Sequence, residues 1–387
     1  MKRTIFFFVF IINFVFAQES QVFYSLHDAL KDPEKVHTLH LRNQDIKEFP
    51  KQLFKFPNLM YLDISDNQIQ EIPKKIKKLK NLRFLAISKN NISTLPEEIC
   101  ELVHLEVLLI QENKLSALPT NFGNLASLKK INCAHNSLSG LPNSFGKLTN
   151  LRDVILHSNT FTEFPEVICN NKLVTNLSIG NNSFHSLPEL LSEFIFLEEL
   201  EVQNCNLQTL PNAFCNLQRL VHIDLSNNSI IKLPDNFGNL QNLEILNLNN
   251  NNITNLPDSF GNLEALTFLY ISNNNIEFLP EDFSNLIHLE TLLLNENKLQ
   301  KLPKNFGNLK SLLEFQINDN MLLELPNSFN LLQNLYKLTI DYNLFIASAI
   351  MIESMSNLVK ITITDISSNS EKMKEVLEMF PNINFGL

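Results

Sequence analysis

Pairs of side chains that could bind a metal ion or a charged partner recur at a fixed spacing in this sequence. Glu201 and Asp224 are 23 residues apart, and so are Glu199 and His222. Neighbouring carboxylates are typical ligands of calcium, and they also attract a lysine or arginine of a partner. A solvated acidic patch is the simpler interpretation of Glu201 and Asp224, and we favour it over a calcium site.

The histidines and cysteines do not form a motif for metal binding or catalysis. His135 and His157 could face each other, but a zinc site needs at least a third protein ligand, so we interpret them as plain surface residues. No C-x-x-C occurs among the five cysteines, and no nucleophile is matched with a base. We therefore expect no metal, no cofactor and no catalytic residue.

An internal repeat of 23 residues sets these spacings, and it runs 14 times without insertion or deletion over residues 36–357. A representative unit is LEILNLNNNNITNLPDSFGNLEA, residues 243–265. Alternation at Leu246 and Leu248 predicts a short strand with one buried face. A unit this small cannot bury its apolar face alone, so we expect stacked repeats whose strands pair in parallel about 4.8 Å apart.

Other positions of the repeat predict how each coil is closed. The ninth position is Asn in twelve of the 14 repeats, the exceptions being Gln44 and Cys205. An inward amide must be hydrogen-bonded, so we expect a ladder of Asn side chains. Thirteen of the 16 prolines occupy the fifteenth position, where proline ends strand pairing. Side chains such as Phe260 and Leu263 would fill the core behind the strands.

The pattern L-x-x-L-x-L-x-x-N-x-L resembles the leucine-rich repeat motif, and it covers residues 36–357. The resemblance implies an α/β solenoid, a right-handed leucine-rich repeat horseshoe with a concave parallel sheet of about 14–15 repeats. The uninterrupted LPxxFGNL turns and the lack of paired cysteines in the caps resemble secreted bacterial leucine-rich repeat proteins. Protein–protein interaction is the commonest role that this resemblance implies.

We divide the chain into four segments. Residues 1–17 are predicted to be a signal peptide, residues 18–35 an N-terminal cap, residues 36–357 the repeat array, and residues 358–387 a degenerate last repeat with a C-terminal helical cap. The N-terminal cap has a helix start at Ser25, and helical residues are also expected from Ile346 to Met355 and after Ser370, up to a stop at Pro381.

The first segment has a basic start, an apolar run and a small residue, Ala17, at the predicted cleavage point. An uncleaved anchor is the alternative, but the apolar run is about a dozen residues, short of the roughly 20 that span a bilayer. We expect an exported protein that is secreted, periplasmic or surface-bound, with no stable membrane insertion after cleavage.

The charge of the chain argues against two classes of partner. Its net charge is −10 at pH 7, whereas nucleic acids and anionic lipids select a basic surface. The five lysines between Lys74 and Lys80 are interpreted as a solvated face. We predict no binding of nucleic acid.

The five cysteines are predicted to be buried free thiols. Cys100, Cys169 and Cys215 share the nineteenth position, two or three repeats apart, roughly 10–14 Å at strand spacing. That separation exceeds the ~7 Å limit between the Cα atoms of a disulfide. Cys133 replaces a core leucine, and Cys205 replaces an asparagine of the ladder.

A partner is expected to contact the outward positions of the concave strands. Exposed aromatic side chains clustered on one face often mark interaction sites, although aromatics also favour strands for their own packing. The predicted partner-binding residues are Tyr61, Phe84, Val107, Leu109, Ile155, Glu199, Glu201, His222, Asp224, Ile245, Phe268, Tyr270 and Leu293.

The sequence favours a non-enzymatic module that presents its concave parallel sheet to a protein or peptide. The alternative is a cell-surface adhesion or structural protein that binds host or matrix ligands or glycans. An enzyme of this family would need an added catalytic domain, and we expect neither residues 18–35 nor residues 358–387 to form one.

Overall fold

The computed structural model describes residues 22–366, 370–380 and 384–385. The predicted signal peptide and the predicted helix stop at Pro381 lie outside the described residues. The chain divides into two compact units. The first holds residues 1–161 and 167–174, and the second holds residues 162–166 and 175–387.

The first unit contains a ladder of short parallel strands in which each residue pairs with the residue 23 positions later. Leu39 pairs with Leu62, for example, and Leu62 pairs with Leu85. The middle residue of each three-residue strand is buried, and its neighbours are half-buried in nearly every case. The strands are β1 Val22–Phe23, β2 Thr38–His40, β3 Tyr61–Asp63, β4 Phe84–Ala86, β5 Val107–Leu109, β6 Lys130–Asn132 and β7 Asp153–Ile155.

The second unit contains the same kind of ladder. Leu246 pairs with Leu269, and Leu269 pairs with Leu292, again in parallel. The strands are β8 Asn176–Ser178, β9 Glu199–Glu201, β10 His222–Asp224, β11 Ile245–Asn247, β12 Phe268–Tyr270, β13 Thr291–Leu293, β14 Glu314–Gln316, β15 Lys337–Asp341, β16 Lys360–Thr364 and β17 Asn384–Phe385. The parallel strands that the repeat predicts are therefore present in both units.

Short 3₁₀ helices return the chain from one strand to the next. In the repeat that contains Pro257, the N–H of Phe260 donates to the Pro257 carbonyl at 2.9 Å, and the N–H of Leu263 donates to the Phe260 carbonyl at 3.2 Å. Three-residue turns of this kind suit the few residues left between proline and the next strand. These helices are Pro33–Lys35, Lys51–Lys55, Lys74–Lys78, Glu97–Glu101, Phe122–Asn124, Asn143–Lys147, Glu166–Asn170, Glu189–Glu193, Asn212–Asn216, Phe237–Asn239, Asp258–Asn262, Glu281–Asn285, Phe306–Asn308 and Asn327–Leu331.

Asparagine side chains tie each coil to the one before it, as predicted. The Asn251 side-chain nitrogen donates to the carbonyls of Leu225 and Leu248 at 3.0 Å each, and its oxygen accepts from the N–H of Ile230 at 3.0 Å. Cys205 substitutes for one rung, because its thiol contacts the Ile179 carbonyl at 3.6 Å.

The prediction is wrong for Asn343. It is exposed in the helix Tyr342–Ala347, since the fourteenth repeat departs from the coil pattern at this point.

Stacked phenylalanines and close glycines form the core behind the strands. In the second unit Phe214, Phe237, Phe260 and Phe283 are fully buried, and successive rings stack with centroids 6.0–6.2 Å apart. Adjacent coils come so close that a Cβ on Gly238 would lie 1.9 Å from the Ser259 carbonyl oxygen. Glycine is therefore required by contact here.

Helices lie near both ends of the described chain. Helix α1, Leu26–Ala29, begins at the predicted Ser25, whose hydroxyl accepts from the N–H of Asp28 at 3.1 Å. Near the other end are α2 Tyr342–Ala347, α3 Ala349–Glu353 and α4 Glu371–Met379. Helix α4 begins at the predicted Ser370, whose hydroxyl accepts from the N–H of Met373 at 3.1 Å. None of the described helices is long and apolar enough to cross a membrane.

The cysteines confirm the prediction made from their spacing. All five are free and buried. Burial raises the pKa of Cys205 and of Cys215 to about 11 and that of Cys100 to about 12, where Glu97 adds to the effect. These thiols therefore belong to the core rather than to a reactive site.

Candidate functional site

The outward face of each unit is the side of the strands that carries the first and third residue of each three-residue strand. All thirteen predicted binding residues lie there and are half-buried. The first unit carries Tyr61, Phe84, Val107, Leu109 and Ile155, and the second carries Glu199, Glu201, His222, Asp224, Ile245, Phe268, Tyr270 and Leu293.

Four rings form a continuous aromatic column on the outward face of the first unit. The ring centroids of Tyr24 and His40 are 5.4 Å apart, those of His40 and Tyr61 are 4.9 Å apart, and Tyr61 stacks on Phe84 at 4.0 Å. Sequence analysis found Tyr61 and Phe84 but missed the other two. Tyr24 precedes the repeat, and His40 joins the column by a diagonal contact, so a search for aromatics at one repeat position finds neither.

Hydrogen bonds fix the charge state beside this column. The Asp63 carboxylate accepts from the N–H of Ser65 at 3.0 Å and lies 3.9 Å from the ring nitrogen of His40. Burial alone would raise the pKa of Asp63, but the hydrogen bonds from His40 and Ser65 outweigh it, and the pKa falls. Burial raises the pKa of Tyr61 to about 12, and the Asp63 charge adds to this. The column thus pairs a neutral phenol with a charged carboxylate.

The apolar residues beyond the column form a less continuous surface. Val107 is the register partner of Phe84, so it extends the column by one strand. Leu109 lies on the same strand, whereas Asn132 separates it from Ile155 in the register of the sheet. The structure therefore brings Val107 to Phe84 and leaves Ile155 apart from Leu109.

Acidic side chains of the first unit are paired with cations on neighbouring strands. Glu106 lies 3.1 Å from Arg83 and 2.6 Å from Lys129. Lys89 and Glu112 are 3.6 Å apart. These pairs span one repeat, so charge on this face is largely balanced between adjacent coils.

Acidic side chains of the second unit form what we call the acidic strip, which consists of Glu199, Glu201 and Asp224. Glu199 is the register partner of His222, and Glu201 is the register partner of Asp224. Glu199 accepts a hydrogen bond from the side chain of Asn176 at 2.6 Å. Asp224 accepts one from the N–H of Ser226 at 2.9 Å. Two carboxylates therefore occupy directly opposed positions on adjacent strands.

The structure describes no arrangement suited to metal. Within residues 22–366, 370–380 and 384–385, no three or more His, Cys, Asp or Glu side chains are grouped closely enough to hold a metal ion. His135 and His157 do meet, edge to face, with ring centroids 5.0 Å apart. Their contact is a ring packing interaction between neighbouring coils.

Next to the acidic strip lies what we call the apolar group, which consists of Ile245, Phe268, Tyr270 and Leu293. Ile245 is the register partner of Phe268, and Tyr270 is that of Leu293. Phe268 and Tyr270 are the two outward residues of strand β12. Burial raises the pKa of Tyr270, and the charge of Glu314 adds to the effect. The structure thus brings these four predicted residues together on three consecutive strands.

A second asparagine ladder, which sequence analysis did not single out, lies beside the outward face of the second unit. The Asn204 side chain donates to that of Asn181 at 2.9 Å, Asn250 donates to Asn227 at 2.9 Å, and Asn273 donates to Asn250 at 2.8 Å. All five have φ between 54° and 58°. Asparagine tolerates this left-handed conformation better than most residues. The run of Asn at the eighth repeat position is the signal that could have predicted the ladder.

Grooves in the structure lie away from the outward face. A groove of about 510 Å³ in the first unit is lined by Lys47, Phe49, Lys51 and Pro73, among others, and faces the turns. A second, of about 620 Å³, lies in the second unit beside Phe164, and Pro188 also lines it. Their lining residues pair no nucleophile with a general base.

Three leucine-rich repeat families match parts of this sequence. The family described as a leucine-rich repeat region matches residues 73–172 and 222–294. Two others, described as leucine rich repeats, match residues 34–92 and 196–217. No curated protein sequence matches this chain.

Solved structures share the fold along most of the chain. A leucine-rich repeat protein of Leptospira interrogans is 26% identical, with 95% of this chain and 100% of that chain covered and a TM-score of 0.74. The Arabidopsis receptor kinase HAESA, in complex with a peptide hormone and a co-receptor, is 25% identical, with 90% and 71% covered and a TM-score of 0.67.

An internalin of Listeria monocytogenes is 21% identical, with 80% of this chain and 88% of that chain covered and a TM-score of 0.70. At that identity the likeness concerns the fold alone. The three structures confirm the predicted class, a leucine-rich repeat solenoid with a parallel sheet.

Proposed function

Because this chain belongs to the leucine-rich repeat family, we propose that it is a non-enzymatic module that binds a protein or peptide through the outward face of its parallel strands. The observation that carries the proposal is the apolar group of the second unit. Four large side chains meet on three consecutive strands and remain half-exposed, although the strands already bury their own middle residues. Partly exposed aromatic side chains in a cluster are typical of binding surfaces.

The architecture supports binding rather than catalysis. The outward residues are held at strand spacing by a rigid ladder, so a partner meets a preorganised surface and little ordering is needed on this side. Receptors with this fold bind peptides, as the HAESA complex illustrates. The grooves described above offer no catalytic pair, which favours a module that binds and does not react.

Export and the absence of nucleic-acid binding belong to the same proposal. The apolar run in residues 1–17 supports export, and the LPxxFGNL turns support a bacterial source. The net charge of −10 supports a partner other than nucleic acid.

The experiment is a display selection of random 12-residue peptides on the full chain without residues 1–17. A parallel selection uses the double variant Phe268→Ser/Tyr270→Ser, with circular dichroism to check that it is folded. We expect peptides that are enriched on the native chain and lost on the double variant. Failure to enrich any peptide, or equal enrichment on both proteins, would overturn the proposal.

A further inference from the structure

We propose that the outward face of the second unit binds an extended peptide segment that carries lysine or arginine next to an apolar or aromatic side chain. This inference rests on the proposed function and names the chemistry of the partner. The docking surface is the apolar group together with the acidic strip, which lies on the two preceding strands.

The charge on this surface is of one sign. The outward segments of strands β8 to β13 and the residues beside them contain seven acidic residues and no lysine or arginine. The acidic residues are Glu198, Glu199, Glu201, Asp224, Glu244, Glu290 and Glu296, within residues 175–181, 198–204, 221–227, 244–250, 267–273 and 290–296. A cationic partner is the one that complements such a surface.

The equivalent segments of the first unit provide an internal comparison. Strands β2 to β7 carry six lysines and arginines with five acidic residues, within residues 37–43, 60–66, 83–89, 106–112, 129–135 and 152–158. Cation and carboxylate there pair across coils, as Glu106 does with Arg83 and Lys129. Within the part of the second unit that the structure describes, none of the acidic strip forms an ion pair with lysine or arginine. The same repeat therefore accommodates cations, and the second unit omits them.

The acidic strip also opposes folding. Glu201 and Asp224 are register partners on adjacent strands, and like charges directly opposite each other destabilise a sheet. A partner cation seated between the two carboxylates would remove this repulsion. The stability cost of the pair in the free protein is thus consistent with a role in binding.

The spacing of the two parts defines the partner further. Strands β9 and β10 carry the acidic strip, and strand β12 carries Phe268 and Tyr270. Two to three strand spacings of about 4.8 Å separate them, roughly 10–14 Å, which an extended peptide covers in about three or four residues. A peptide that crosses the strands would therefore carry its basic residue about three or four positions from its apolar anchor.

The first test is the composition of peptides selected on the full chain. We expect lysine or arginine to be enriched three or four positions from an aromatic or aliphatic residue. Peptides that lose binding to Phe268→Ser/Tyr270→Ser but show no basic enrichment would overturn this inference and leave the proposed function standing. A selection that yields no peptide would overturn both.

The second test changes charge without changing shape. In Glu201→Gln/Asp224→Asn, we expect a selected basic peptide to bind at least tenfold more weakly, with a smaller dependence on salt, while the thermal midpoint stays level or rises. The matched control is Asp258→Asn/Glu264→Gln, which removes two exposed charges on the turn side of the same unit. Equal weakening by both variants would reduce the effect to net charge and contradict the proposed site.

Discussion

The side-chain oxygen of Asn228 accepts a hydrogen bond of 3.0 Å from the backbone N–H of Cys205, which lies one coil earlier. The same oxygen accepts from the N–H of Leu207 at 3.0 Å, and the side-chain nitrogen donates to the Val202 carbonyl at 2.9 Å. One buried amide thus satisfies three backbone groups of the preceding coil. The ladder is a main reason that coils built from three-residue strands stay in register.

Replacing Asn228 with leucine keeps the volume and removes all three bonds. Because buried backbone groups lose their partners, we expect the free energy of unfolding to fall by about 3 kcal/mol. The measurement is urea unfolding followed by circular dichroism. Asn343→Leu is the matched control, since Asn343 has the same repeat position but is exposed in helix α2, and a change within about 0.5 kcal/mol is expected there. Equal effects of the two variants would contradict the role of the ladder.

Gly238 sets how closely two coils approach. A Cβ at this position would lie 1.9 Å from the backbone oxygen of Ser259, so Gly238→Ala must push the coils apart. We expect a loss of about 1–3 kcal/mol. Gly140 has nothing within 4 Å of the same atom, and Gly140→Ala should leave stability unchanged or raise it slightly. Thermal unfolding of the two variants distinguishes contact from backbone freedom, since a purely conformational effect would give similar changes at both glycines.

Asn171 interrupts a column of buried leucines in the first unit. Its side-chain nitrogen donates to the carbonyls of Phe145 and Leu148, but its buried side-chain oxygen has no partner. Both carbonyls also accept backbone N–H groups. Asn171→Leu should therefore stabilise the protein by about 1 kcal/mol, because an unsatisfied polar atom is replaced by an apolar side chain. A lower unfolding midpoint would show that the amide makes a contribution this account omits.

The thiols should be inert in the folded protein. A pKa of about 11 leaves roughly one part in a thousand of Cys205 and Cys215 as thiolate at pH 8, and both are buried. Iodoacetamide should therefore modify none of the five cysteines in the native protein and all five in denaturant. Intact mass measures this directly, and modification under native conditions would contradict the buried assignment.

The repeat period predicted the strands and their register because each position has a single packing role. Leu246 and its equivalents must be buried, so strands recur every 23 residues. Asn343 was misjudged, because the motif continues one residue into helix α2 while the coil does not. Contacts between side chains of different positions were beyond this argument. The stacking of Tyr24 on His40 depends on side-chain conformations, which periodicity leaves open.

The central claim is that a partner binds the outward face of the second unit. The most direct measurement is the affinity of one selected peptide for the native chain, for Phe268→Ser/Tyr270→Ser and for Ile287→Ser. Ile287 is 51% exposed but lies outside the strands, so it controls for loss of exposed apolar surface. We predict at least tenfold weaker binding to the double variant and unchanged binding to Ile287→Ser. Native affinity in a folded double variant would contradict the account.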